Sequence, residues 1–159
     1  MLISYRVTDP YRRLLEVAKG FAAGDDPRHY GPAVVLAQSA CEVCTENTFE
    51  LLFTDMGIGH LYGPYAKFVA SFNLASDDPR LRKMYTALTG DQITETPFWA
   101  QLTDLPKKRN LIAHRGEDVS KEEAQRLCEA AESLLNHLDG IADHFLERVA
   151  TPFTAAVSG

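Results

Sequence analysis

Hydrophobic residues recur along this chain at spacings of three and four, which places them on one face of a helix. The first such segment starts at Asp9-Pro10, a pair typical of a helix start, and reaches Gly24, a residue type that commonly ends one. Its apolar positions are Tyr11, Leu14, Leu15, Ala18 and Phe21. We therefore predict an amphipathic helix here, followed by a loop over residues 24–32, where glycine, aspartate and proline cluster.

The stretch from Ala33 to Met56 has apolar residues on nearly every side. A helix with this pattern is usually buried at the centre of a protein. Gln38, Glu42 and Glu46 interrupt it at successive steps of four and form a narrow polar stripe along one edge. We predict that Gly57 and Gly59 end this central helix.

Three further amphipathic segments follow the central helix. One spans Leu61 to Phe72, a short one runs from Asp78-Pro79 to Gly90, and one opens at Thr96-Pro97. We expect Pro106 to interrupt or kink the last of these, because proline lacks an amide hydrogen and crowds the preceding turn.

The final helix has the clearest boundaries in the sequence. Ser120 with Glu123 forms a capping box, and Val119 with Ala124 can form the hydrophobic staple beside it. Apolar residues then alternate steps of four and three at Leu127, Ala131, Leu134, Leu138, Ile141 and Phe145. This is the pattern of a long amphipathic helix.

These segments together predict an all-α protein, an antiparallel bundle of four to six helices. We expect residues 1–150 to form a single domain and residues 151–159 to be a flexible tail. No apolar run approaches the roughly 20 residues of a membrane span, so we expect no association with a membrane. Three cysteines are an odd number, which argues against a disulfide framework and favours the reducing cytoplasm.

Charge is distributed unevenly along the chain. The net charge is −6, yet the stretch KKRNLIAHRG at residues 107–116 concentrates positive charge around His114. Its cations are Lys107, Lys108, Arg109 and Arg115. The acidic balance argues against non-specific coating of nucleic acid, so an anion would have to be drawn to this local segment. The simpler interpretation is a solvated helix end whose cations pair with Glu117 and Asp118.

Other candidate chemistry in the sequence is weaker. Cys41 and Cys44 have the spacing of a redox pair, but they lie inside an apolar helix, and Cys128 completes no zinc-binding pattern. We predict that these cysteines are buried small hydrophobic residues. His137 and His144 match no metal-binding motif, and we expect them on a solvated face of the last helix. We predict neither a metal ion nor a cofactor.

Helical geometry constrains what the basic segment can do. Asn110 and His114 are four residues apart and share a face, whereas Arg109 and His114 are separated by about 140° of rotation on an ideal helix. An Arg–His couple therefore requires either that the helix ends near His114 and bends the chain, or that a second subunit contributes. Leu111 and Ile112 point elsewhere and can anchor the segment in the core.

No acidic residues cluster around this segment to hold magnesium, so we consider phosphoryl chemistry without a metal ion. RNA supplies its own nucleophile, the 2′-OH, and a histidine can act on it as base or acid because its ordinary pKa lies near neutrality. The planar fork of an arginine matches phosphate oxygens and can stabilise a phosphorane. Asn110 can orient the imidazole or donate a hydrogen bond to phosphate.

The sequence RNLIAHRG resembles the hallmark of the HEPN superfamily, an arginine and a histidine separated by four to six residues, usually with a polar residue after the arginine. Arg109, Asn110 and His114 match this pattern at its short end. An amphipathic segment from Trp99 to Leu105 precedes the motif, and a capped long helix follows it, as in that superfamily. The resemblance covers the topology from the first helix through Val149.

This resemblance implies a bundle that dimerises so that two motifs face each other across a cleft. It also implies a metal-independent endoribonuclease that leaves a 2′,3′-cyclic phosphate, in toxin–antitoxin or antiviral settings, with an antitoxin or a nucleotidyltransferase as a partner. Arg109 and His114 would be catalytic, and Asn110 would support them. Either Glu42 or Glu46 would be the supporting acid on the second helix.

Three cations beside the motif, Lys107, Lys108 and Arg115, are candidates to bind the RNA backbone. Many HEPN proteins are not nucleases, however, and some bind nucleotides or act as interaction modules. The alternative function is therefore a catalytically inactive helical module that dimerises and binds a protein partner or a nucleotide. The acidic net charge leaves this alternative open.

Overall fold

The computed structural model describes residues 9–150, with side chains described for residues 9–147. This part of the chain contains six α-helices and no strand, which confirms the predicted all-α class. The helices are α1 (Pro10–Ala23), α2 (Tyr30–Asp55), α3 (Tyr62–Phe68), α4 (Arg80–Thr89), α5 (Trp99–Arg115) and α6 (Lys121–Ala150). The tail predicted for residues 151–159 lies outside the described residues.

Two helix starts follow the sequence signals closely. Asp9 has a non-helical backbone (φ −53°, ψ 133°) and Pro10 is the first helical residue of α1. At the start of α6, the backbone N–H of Glu123 donates to Ser120 Oγ at 3.1 Å. Val119 and Ala124 are buried beside this cap, as the staple requires.

Ion pairs that join α6 to its neighbours define how the helices run. Residue numbers rise on one helix as they fall on the other in each of these pairs. The pairs are Arg12–Asp139 and Lys19–Glu132 between α1 and α6, and Asp104–Arg126 and Lys108–Glu123 between α5 and α6. Both α1 and α5 therefore run antiparallel to α6.

Helix α2 occupies the centre, as its all-round apolar pattern predicts, and it contacts α1, α5 and α6. Phe49 on α2 is fully buried and packs against the rings of Tyr65, Phe72 and Tyr85, with centroid separations of 6.1, 5.9 and 6.5 Å. These contacts attach α3 and α4 to the central helix. Within the described residues, no helix has both the length and the hydropathy to cross a bilayer.

The predicted helix bounds and continuity differ from the structure in three main places. The predicted loop ends early, because a 3-10 turn at Pro27–His29 leads directly into α2 at Tyr30. Helix α3 stops at Phe68 instead of reaching Phe72, and Val69 is extended, so that Phe72 can turn back onto Phe49. Pro106 does not interrupt α5.

The continuity of α5 through Pro106 has a physical reason. A proline removes one backbone hydrogen bond, a local cost that tertiary packing can offset. Leu102 and Leu105, immediately before Pro106, are both fully buried against the rest of the bundle. Their burial holds this turn of α5 helical despite the lost bond.

Candidate functional site

The predicted motif occupies the last two turns of α5. Gly116 ends the helix in the left-handed conformation (φ 62°, ψ 33°), and its N–H donates to the carbonyl of Ile112 at 3.0 Å. Glycine adopts this conformation at little cost, which is why it so often ends helices. His114 and Arg115 consequently lie in the final turn of a well-terminated helix.

Apolar contacts fix this helix end against the bundle. Leu111 and Ile112 are both half-buried, and Ile112 packs against the core. Ile112 also lies beside the start of α2, since a Cβ built on Gly31 would be 3.5 Å from its Cγ2 atom. The expected anchoring of the motif is therefore present, and it places the motif next to the N-terminal end of α2.

His114 is exposed, and no side chain among residues 9–147 forms a hydrogen bond or ion pair with its imidazole. Lys107 and Arg115 are exposed as well and have no ion-pair partner in the same part of the chain. This edge of α5 thus presents an imidazole and two cations to solvent, and none of the three pairs with another side chain in the described part of the chain.

Arg109 and Asn110 interact with each other. The Arg109 Nη1 atom donates to Asn110 Oδ1 at 3.1 Å, so the amide oxygen of Asn110 is engaged with the guanidinium. Because α5 is helical from Arg109 through Arg115, the directions of Arg109 and His114 differ by about 140°. The helix does not end early enough to bend the two together, so one chain forms no Arg–His couple.

Lys108 differs from the other cations of the segment. Its ammonium is ion-paired with Glu117 and with Glu123, the latter at 3.2 Å, and its side chain is only 14% exposed. The hydrogen bond to Glu117 is the main reason that the pKa of Lys108 is raised. The interpretation of a solvated helix end paired with nearby acids therefore describes Lys108, although it does not describe Lys107 or Arg115.

The two acids on α2 lie away from this edge. Glu42 is half-buried and its Oε1 accepts hydrogen bonds from Gln38 Nε2 at 2.9 Å and from Ser71 Oγ at 3.4 Å. Glu46 is exposed near the hydroxyl of Tyr62, at 3.5 Å. Gly31 marks the level of Ile112 on α2, and Glu42 lies ~16 Å further along that helix. One chain therefore does not bring either acid next to His114.

His137 has a different environment from the solvated face predicted for it, and that prediction was wrong. Its Nε2 lies 2.7 Å from Asp91 Oδ2, which also accepts the hydroxyl of Tyr85 at 2.7 Å, and its ring meets the ring of Phe98 edge-on. The signal in the sequence was its spacing of three from Leu134, which places it at the border of the apolar face of α6. His144 is exposed, as predicted.

The cysteines are free and buried, as predicted. Burial raises the pKa of Cys44 to about 12 and that of Cys128 to about 11, and it also raises the pKa of Cys41. These thiols therefore remain protonated near neutrality, which does not suit a redox pair. Among the residues that the structure describes, no group of three or more potential ligands could hold a metal ion.

The candidate site is thus the end of α5 next to the start of α2, where Asn110, His114 and Arg115 are exposed and Arg109 is half-buried on another side of the helix. In comparisons with known proteins, no family model, no curated protein and no solved structure matches this chain.

Proposed function

We propose that this protein is a HEPN-like, metal-independent endoribonuclease whose site combines the α5 edges of two subunits in a homodimer. One observation carries the proposal: Arg109 and His114 lie on a single continuous helix, about 140° apart, so they cannot act together within one chain. A second α5 that faces the first across a two-fold axis supplies the missing partner for each of them.

The proposed reaction uses the nucleophile that RNA already contains. His114 accepts the proton of a 2′-OH, and the resulting oxygen attacks the adjacent phosphorus. Arg109 of the other subunit donates to the equatorial oxygens of the phosphorane that forms. The bond to the 5′-oxygen then breaks as an imidazolium returns a proton to it, which leaves a 2′,3′-cyclic phosphate and a 5′-OH. No cofactor enters this scheme.

Other residues around the site contribute binding. Lys107 and Arg115 are exposed and unpaired within the described residues, so both can contact the RNA backbone. Glu42 and Glu46 lie too far along α2 from His114 of their own chain, and the proposed reaction therefore proceeds without a supporting acid. By the same resemblance, we propose a cytoplasmic toxin or defence role, with an antitoxin or nucleotidyltransferase as the partner.

A second function is favoured by the small size of the cationic surface. Lys108 is neutralised by two carboxylates of its own chain, and the protein as a whole is acidic, so the cationic edge is small. A catalytically inactive module that dimerises and binds a protein partner or a nucleotide would not need a larger cationic surface than this one. This alternative predicts no cleavage of any RNA and unchanged partner binding when His114 is replaced.

Cleavage of a labelled RNA pool in excess EDTA distinguishes these functions. We expect the wild type to cut RNA in EDTA and to leave 2′,3′-cyclic phosphate ends, and we expect His114→Ala, purified identically, to be inactive. The matched purification excludes a contaminating nuclease. Cleavage that disappears in EDTA, or that survives His114→Ala, would contradict the proposal.

A further inference from the structure

We propose that Lys108 is a positioning residue of the nuclease site and not an RNA-binding cation. In this role it clamps the α5–α6 turn, residues 116–120, and so holds the last turn of α5, with His114, in the orientation that the dimeric site requires. The positioning role rests on the proposed function, whereas the clamp itself is a property of the single chain.

The clamp joins three successive parts of the chain through one ammonium group. Lys108 lies on α5, Glu117 lies on the turn, and Glu123 lies in the first turn of α6. The Nζ atom of Lys108 bonds Glu117 Oε1 and lies 3.2 Å from Glu123 Oε2. Two of the three donors of the ammonium are therefore directed at acids that belong to the turn and to the following helix.

Partial burial strengthens this clamp relative to the other lysine pairs. The side chain of Lys108 is 14% exposed, compared with 40% for Lys19 and 32% for Lys121, which each pair with a single carboxylate. Ion pairs that are screened less by water stabilise more than exposed ones. Lys108 is thus the lysine in the described chain whose pairing we expect to matter most for local structure.

The turn has firm contacts at its two ends, whereas the middle has one long backbone bond, from the N–H of Glu117 to the carbonyl of Leu111 at 3.5 Å. Gly116 ends α5, and Val119 and Ser120 fix the start of α6. Glu117 and Asp118 between them are exposed, and only Glu117 is tied back to α5. The N–H groups of Gly116 and Glu117 cap the carbonyls of Ile112 and Leu111, so the end of α5 depends on where the backbone of Glu117 is held. Helix ends fray readily when such caps are lost, and we expect the bond between Lys108 and the Glu117 side chain to keep this cap in place. Without the clamp, we expect this fraying to reach His114.

The same contacts argue against a direct role for Lys108 in binding RNA. A phosphate that approached Lys108 would have to displace Glu117 and Glu123, and both carboxylates would repel it. Lys107, the neighbouring cation, is exposed and has no such competitors among the described residues. Adjacent lysines thus serve different purposes, which a matched pair of substitutions can separate.

The test compares Lys108→Met, Lys107→Met and Lys83→Met in the full chain. Methionine keeps most of the apolar stem and removes the charge. Lys83, on α4, is exposed and serves as the control for the change in net charge. The measurements are backbone amide hydrogen exchange over residues 111–120 and the kcat and KM of RNA cleavage.

For Lys108→Met we expect faster exchange over residues 111–120 only, and a kcat lowered about threefold to tenfold with KM unchanged, because a displaced catalytic group slows the chemical step. For Lys107→Met we expect a raised KM with kcat and exchange unchanged. Lys83→Met should change none of these. The double variant Glu117→Gln/Glu123→Gln should reproduce the effects of Lys108→Met, and it replaces that variant if Lys108→Met does not fold.

Three outcomes would overturn the proposal. Unchanged amide exchange over residues 111–120 in Lys108→Met would show that there is no clamp. This measurement tests the clamp even if the wild type cuts no RNA and the proposed function fails. Faster exchange with unchanged kcat would show that the clamp does not position the site. A raised KM with unchanged kcat would show that Lys108 binds RNA.

Discussion

Two histidines in this protein occupy opposite kinds of environment. His137 lies 2.7 Å from Asp91, packs edge-on against Phe98 and is 24% exposed, so its bonding capacity is used within its own chain. His114 is exposed and has no partner among residues 9–147. A polar group whose hydrogen bonds are made within its own chain stabilises the fold, whereas an unpaired imidazole at a helix end is available to act on a ligand.

The two regions are also well separated. The α5–α6 turn connects His114 to the start of α6, while His137 lies on α6 ~24 Å beyond that start. Sites at this distance, with no shared partners, usually respond to substitution independently. Substitutions at the two histidines should therefore separate activity from stability.

The largest expected effect is on activity. We expect His114→Ala to lower the rate of RNA cleavage by about 10²- to 10⁴-fold, the usual contribution of a general acid–base group. Because this exposed side chain has no hydrogen-bond or ion-pair partner among residues 9–147, we expect the free energy of unfolding to change by less than about 0.5 kcal/mol. Cleavage assays and urea denaturation of the same preparation measure both. If His114→Ala also lowered the free energy of unfolding, then His114, like His137, would contribute to stability.

The second effect is on stability. We expect His137→Ala to lower the free energy of unfolding by about 1–2 kcal/mol, because Asp91 loses one of its two partners in a half-buried position. Cleavage per folded molecule should remain at the wild-type level. Thermal denaturation together with the cleavage assay tests this. An inactive but fully stable His137→Ala would mean that the catalytic histidine has been misassigned.

A smaller effect concerns the cations that flank His114. We expect Arg115→Gln to weaken RNA binding and to reduce the dependence of log affinity on log salt by about 0.7, the contribution of one contact to single-stranded nucleic acid. The matched control is Arg13→Gln on α1, an exposed arginine outside the motif. Filter-binding titrations at several salt concentrations measure the slope. If log affinity depends equally on log salt in the wild type and in Arg115→Gln, then Arg115 does not contact the RNA backbone.

The smallest effect is expected for the three buried cysteines, which should not react with a thiol reagent in the native protein. Cys41, Cys44 and Cys128 are buried and their pKa values are raised, so we expect no reaction with a thiol reagent in the native state and full reaction in denaturant. Rapid modification of Cys41 and Cys44 in the native protein would show that the packing around the middle of α2 opens. In that case these thiols would be accessible to solvent in the native state, as His114 is.

Much of the fold could be predicted from the sequence because local rules decide it. Asp9-Pro10 and Ser120 start helices through backbone geometry and one hydrogen bond, and the all-round apolar pattern of α2 permits only a central position. The continuity at Pro106 could not be predicted, because burial of Leu102 and Leu105 by distant segments offsets the local cost.

The candidate site was predictable only in part, for a similar reason. The angular separation of Arg109 and His114 follows from spacing once the segment is helical. The partners of Lys108 and His137 depend on how a turn and a neighbouring helix are placed, which spacing does not determine. Asp91, the partner of His137, lies far from it in the sequence.

Subunit mixing shows whether Arg109 and His114 act from different chains. Arg109→Ala and His114→Ala should each be inactive as homodimers. After co-expression, each mixed dimer keeps one intact pair, Arg109 from one subunit and His114 from the other, so activity should return to roughly a quarter of the wild-type level. If dimers form and exchange but no activity returns, Arg109 and His114 do not form a site across two subunits.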